Sequence, residues 1–136
     1  MSLETWKKEF YPAAAEESAS HGVLAAAKHD LLEWRGAMGD NLDRHGVTRE
    51  SYMPIVAEGD EQFPLNSDTS ALCVLSRNHC PCCPLWKVRE EVSCTAARSD
   101  EATSPYDAML NDHDYDAAFP MVGWLEKTVQ YLQDVV

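Results

Sequence analysis

The chain has 136 residues, 45% of them apolar and 25% charged, with a formal charge of −12. Its apolar content suffices for one buried core and is too high for a disordered chain. The excess of 23 acidic over 11 basic residues argues against direct binding to nucleic-acid phosphates.

Taken in chain order, the first element is a helix from Leu3 to about Tyr11, capped by Ser2 and ended by Pro12. Pro12 allows a further turn through Ala13–Glu17. Ser20 is the expected N-cap of the next helix, along which Leu24, Ala27, Leu31 and Trp34 recur at helical spacing. Gly36 stands where a C′ glycine belongs. Asp40 to Gly46 predicts one or two more turns, closed by Gly46.

Residues 47–67 contain Pro54, Gly59 and Pro64 and show weak periodicity. They predict an irregular loop, with at most a short strand at Ile55–Val56 and no hairpin. Asp68 or Ser67 would cap a helix carrying Ala71, Leu72, Cys73, Val74 and Leu75 and ending near Asn78. Pro81 and Pro84 stiffen the turn that follows. Ser104, Pro105 and Asp107 supply an N-cap, a proline at the first helical position and an acid in the first turn. The last helix should begin near Phe119–Pro120. Val122, Leu125, Val129, Leu132 and Val136 form its apolar stripe. The expected fold is mainly α: short helices around a four-cysteine metal knuckle, with a long amphipathic C-terminal helix. A single domain is expected, comprising a helical part (1–46), a loop (47–67), the knuckle (68–94) and a second helical part (104–136).

The knuckle rests on cysteine spacing. Cys73, Cys80, Cys83 and Cys94 fall within 22 residues, Cys82 lies between the central pair, and no cysteine occurs elsewhere. Thiols used only as small core residues would scatter. Cys80 and Cys83 have the two-residue separation that lets one tight turn aim two sulfurs at one ion. Four thiolates make a closed structural zinc set, with sulfurs about 2.3 Å from the metal. Cys82 and His79 are alternate ligands. An iron–sulfur cluster uses the same ligands. A redox dithiol at Cys80–Cys83, or disulfides, are further readings, though no βαβ pattern surrounds the cysteines as in a thioredoxin-like site.

The acids are unevenly placed. Residues 99–126 hold no Lys or Arg, yet include Asp100, Glu101, Asp107, Asp112, Asp114, Asp116 and Glu126. Such a stretch either keeps the surface soluble or docks on a basic patch of a protein partner. Asp100, Glu101, Asp107, Asp112, Asp114 and Asp116 are therefore the candidate partner-binding residues. No catalytic constellation stands out: Gly-rich phosphate loops, G-x-S-x-G and H-E-x-x-H are absent from the sequence. His21, His29, His45 and His113 are scattered. The segment around His113 lacks the glycine and final glutamate of an EF-hand loop. His29 is expected at the surface or half-buried. Trp6, Trp34, Trp86 and Trp124 are expected core anchors, with Trp86 placed to cover the metal. The longest apolar runs, Val23–Ala27 and Phe119–Leu125, fall short of the roughly 20 residues of a membrane span. The N-terminus has no apolar signal core. A cytoplasmic, reducing setting is expected.

Cys80, Cys83, Pro84 and Leu85, then Cys94, then Ser104, Pro105 and Tyr106 resemble small Cys-rich proteins encoded by phages and prophages. Trp6, Phe10–Ala13, His29–Gly36 and His45–Gly46 share the likeness. This chain differs in having Ser70 where similar chains often carry a further cysteine, and in having Cys82 besides. The resemblance implies a viral or mobile-element setting, hence a host cytoplasm, and no particular activity. The expectation is a small, acidic, zinc-stabilised binding or inhibitory protein that occupies a surface of a host or phage protein. An iron–sulfur or thiol redox protein is the alternative.

Overall fold

The computed structural model describes residues 2–49, 55–99, 101, 104–105 and 119–135, the last span without the side chain of Phe119. The chain is mainly helical and ends in a long helix. In order come α1 (Leu3–Phe10), α2 (Ala15–Ser20), α3 (Val23–Gly36) and α4 (Gly39–His45), then β1 (Thr48–Arg49), β2 (Ile55–Glu58) and β3 (Glu61–Pro64). After these come α5 (Ala71–Leu75), a single 3-10 turn (Cys80–Cys82), α6 (Pro84–Val88) and α7 (Phe119–Asp134). Among the described residues no helix is long and apolar enough to cross a membrane.

Local chemistry explains most of these boundaries. The Ser2 side chain accepts a hydrogen bond from Thr5 N, and Thr5 Oγ1 accepts one from Ser2 N, closing a reciprocal cap on α1. Gly46 takes φ +66 and ends α4, a left-handed position that glycine occupies without a side-chain clash. The Ser104–Pro105–Asp107 helix start, and Val136 of the C-terminal stripe, lie wholly or partly outside the described residues. Within α7 the stripe holds: Val122, Leu125 and Leu132 are buried and Val129 is half-buried. Thr128 is also buried there, its hydroxyl donating to Trp124 O at 2.8 Å.

Several expectations are corrected. Residues 47–67 contain a three-stranded antiparallel sheet in the order β1-β2-β3. Glu58 pairs with Glu61 across a two-residue turn, Gly59–Asp60, with Gly59 at φ +58. Ser20 ends α2, and Gly22 is the N-cap of α3. The N-cap of α5 is Ser70, whose side chain accepts from Cys73 N at 3.2 Å, in place of Asp68 or Ser67. Pro84 opens α6 at a position where its missing N–H costs nothing. Two left-handed pairs of ordinary residues, Arg77–Asn78 and Glu90–Glu91, turn the chain after α5 and α6.

The core is one cluster with α3 through its middle. Trp6 and Phe10 of α1, Trp34 of α3, Phe63 and Leu65 of the sheet segment, Leu72 of α5 and Leu125 of α7 all belong to it. Gly36 is the last residue of α3 and serves close packing, not a left-handed cap. Trp6 Nε1 donates to Gly36 O at 2.9 Å, and Trp6 is fully buried. A Cβ at Gly36 would lie 2.6 Å from Phe10 Cγ and 2.8 Å from Trp6 Cζ2.

In an open helix Gly→Ala would gain about 1 kcal/mol. Here both neighbouring rings are buried and cannot swing aside, so Gly36→Ala is expected to destabilise the fold by about 1–3 kcal/mol. Urea unfolding checks this, and an unchanged or raised midpoint would contradict the packing described.

Candidate metal centre

Cys73, Cys80, Cys83 and Cys94 line one cavity of about 160 Å³, together with Trp86. Cys73, Cys83 and Cys94 also border an adjoining chamber of about 310 Å³. The four sulfurs come from α5, the 3-10 turn, the N-cap of α6 and the loop after α6. All five cysteines are free thiols. Cys82 is exposed and lines neither cavity, and the same holds for His79.

Each outer cysteine is held by its own buried carboxylate contact. The first is Asp30 of α3, only 2% exposed. Its Oδ1 accepts from Ala71 N at 2.7 Å, and its Oδ2 accepts from Ser70 Oγ at 2.6 Å and Leu72 N at 3.2 Å. These are the orphan donors at the start of α5, and an anion there also complements the helix dipole. Cys73 sits one residue beyond them, its own N–H bonded to Ser70 Oγ.

The second contact fixes the Cys94 loop. Arg89 is fully buried, and its guanidinium meets Glu101 in a fork: Nη1 to Oε2 at 3.0 Å and Nη2 to Oε1 at 2.9 Å. Nη2 also donates to Ala96 O at 2.6 Å, two residues past Cys94. Arg98 N and Trp124 Nε1 donate to the same carboxylate at 2.7 and 3.2 Å. The Trp124 ring lies 4.9 Å from the Arg89 guanidinium carbon. Foremost among its neighbours, Arg89 holds the Glu101 carboxyl down at about 2. Glu101 was expected on an open acidic face. It points inward and is committed to these donors. Asp100, Asp107, Asp112, Asp114 and Asp116 lie outside the described residues.

Burial pushes the Cys73 thiol up, the Cys83 thiol to about 11 and the Cys94 thiol to about 12. The neighbouring sulfurs raise Cys94 further, because a second and third thiolate in one cavity repel the first. Burial thus favours the neutral thiol at these three positions, and a cation among them would be what holds them ionised; soft sulfur donors suit zinc or iron. The sulfur edge of a zinc tetrahedron is about 3.8 Å, from four bonds of about 2.3 Å. Among the described residues no three cysteine sulfurs lie within 4.8 Å of one another. The four cysteines border one cavity, and their spacing is wider than a closed zinc shell.

His29, Asp30 and Glu33 do place one ligand atom each within 4.8 Å of one another. The sequence reading missed this group and put His29 at or near the surface, whereas it is buried at 8% exposure. Hydrogen bonds engage His29 and Asp30, while Glu33 Oε2 is buried with no partner among the described residues. His29 Nδ1 faces Asp30 Oδ1 at 3.0 Å and Nε2 faces Ala13 O at 2.9 Å, so acceptors occupy both ring nitrogens. Asp30 is spent on α5. Burial, then the Asp30 charge, raises the Glu33 carboxyl well above its ordinary range. The trio fastens α3 to its neighbours.

No family model, curated protein or solved structure matched the chain.

The Glu101 contact has a pH signature. A carboxyl held below its ordinary value stabilises the folded state fully once the unfolded chain's carboxyl is ionised, above about pH 5. That contribution fades as pH falls toward about 2. Glu101→Gln should therefore cost about 2–4 kcal/mol near pH 7, because it leaves a buried cation unpaired. Chemical unfolding of both proteins from pH 7 to pH 2.5 should show the difference shrinking (~2.5 and 7 bracket the range). A difference independent of pH would contradict this account.

Proposed function

We propose that this chain is a metal-fastened helical protein that acts by binding another protein rather than by catalysis. One thiophilic ion would be held by Cys73, Cys80, Cys83 and Cys94. The observation that supports the reading is that Cys73, Cys80, Cys83 and Cys94, from separate segments, all border one cavity of about 160 Å³. Zinc in that set would contribute on the order of 10 kcal/mol to folding. Three of the helices involved, α5, α6 and the turn between them, are five residues or shorter. Elements that short are marginal without a tertiary anchor.

The partner surface rests on charge. The net charge of −12 and the cation-free stretch 99–126 favour a partner with a basic patch. The resemblance to phage-encoded proteins makes a host protein the first partner to seek. Asp107, Asp112, Asp114 and Asp116 are the residues proposed to steer the encounter, with Asp100 beside them.

An iron–sulfur cluster is the second reading, favoured by one observation. The sulfurs stand further apart than a single zinc ion requires. A cluster spans a larger gap with the same ligands.

Elemental analysis with thiol counting on freshly and anaerobically prepared protein separates these readings. One zinc per chain and a colourless sample are expected, and iron with sulfide in a brown sample would establish the second reading. Ser in place of Cys73, Cys83 or Cys94 should abolish stoichiometric binding, while Cys82→Ser should leave it intact. A metal-free protein that is fully folded would remove the fastening role.

For the partner, capture from infected host cells should yield a basic protein. Its association rate should fall at least about tenfold as salt rises from ~50 to ~500 mM. Asp112→Lys with Asp114→Lys should slow association further. A salt-independent rate would contradict electrostatic steering.

A further inference from the structure

The chamber beside the sulfurs has a lining unlike that of the cysteine cavity. It encloses about 310 Å³ and is walled by Trp34, Leu72, Leu85, Met121 and Leu125. A dry apolar cavity of about 150 Å³ admits benzene. Twice that volume suits a molecule of bicyclic size.

Charge recognition is missing from its walls. No Lys, Arg or His is among its described lining residues. The carboxylate there, Asp30, accepts from Ser70, Ala71 and Leu72, and His29 Nδ1 faces its Oδ1 at 3.0 Å. It has nothing left for a ligand donor. Asn66 also borders the chamber. Its Oδ1 accepts from Asp68 N and Thr69 N, at 2.9 and 3.3 Å. Among the described residues the Asn66 amide nitrogen makes no such bond, so a free donor borders the chamber, beside the Ser67 hydroxyl.

We infer that this chamber binds one small, neutral, largely apolar molecule of about bicyclic size that carries a hydrogen-bond acceptor. Apolar walls supply the affinity, the absence of free charge rejects ions, and the Asn66 amide orients the acceptor. The inference does not rest on the metal reading, although the wall formed by Cys73, Cys83 and Cys94 brings such a molecule against the sulfurs.

1-Indanone, a neutral bicyclic ketone, is a suitable probe, and indane is its counterpart without the acceptor. Titration followed by methyl NMR should give saturable shifts at Met121, Leu72 and Leu125, with a Kd of about 1 mM or tighter. Indane should bind at least about threefold more weakly, since it lacks the hydrogen bond. Leu85→Phe, which narrows the chamber, should weaken 1-indanone at least about tenfold. If that variant loses its folded spectrum, the wild-type titration decides alone. The titration is run on zinc-loaded and on reduced, metal-free protein. Saturable chamber shifts in either form support the site. Shifts that do not saturate, or that scatter over the surface in both forms, overturn it whatever the metal analysis gives.

Discussion

The carboxylate of Asp30 accepts from Ser70, Ala71 and Leu72 at the start of α5, and His29 on its own helix faces it at 3.0 Å. A carboxyl group at 2% exposure is tolerable only when its polar atoms find partners, as they do here. The consequence reaches outward in both directions. Toward the core, α3 is fixed against the segment after the sheet. Toward the surface, α5 is launched from a defined point, and Cys73 with it. Replacing this one anion by an apolar group would leave three donors at the start of α5 buried without acceptors.

The Arg89–Glu101 fork does for Cys94 what Asp30 does for Cys73. Both contacts run through a carboxylate, and both lie next to a cysteine-bearing segment and not at the sulfurs themselves. The polypeptide thus sets Cys73 and Cys94 on the wall of one cavity by its own hydrogen bonding. It does not bring them to the separation of a closed zinc shell. The remaining distance is what a coordinated ion or cluster would close or fill. Trp86, half-buried at the cavity wall, shields that space from water on one side.

What was legible in the sequence was local. The Ser2 cap with α1, the Gly46 end of α4 and the apolar stripe of α7 follow from caps and periodicity within a few residues. The clustering of cysteines was equally plain. The hairpin was missed although the dipeptide Gly59–Asp60 is a turn signal. The reason is that Ile55, Val56 and Ala57 are all buried, so the strand lacks the alternation that marks a half-exposed sheet. Gly36 marked the right helix end for the wrong reason, because the rings that crowd it lie about thirty residues earlier in the chain. Asp30 was illegible as a cap for α5. Its partners are 40–42 residues away, and a lone aspartate in mid-helix looks like a solvated one. Glu101 misled in the opposite way. It sat in an acidic run, yet its pairing with Arg89 depends on a turn set by left-handed residues 90 and 91.

The Trp124 ring gathers Arg89, Arg98 and Lys127 within 4.6–5.3 Å. The chain has 11 Lys and Arg in all, and Arg89 among these three is sealed from solvent. Arg89 draws its partner Glu101 inward with it, so that pair leaves the outer balance of charge unchanged. With a net charge of −12, two copies approaching each other repel over a Debye length of about 8 Å in physiological salt. Self-association is disfavoured by this field, and ionic strength is the variable that relaxes it.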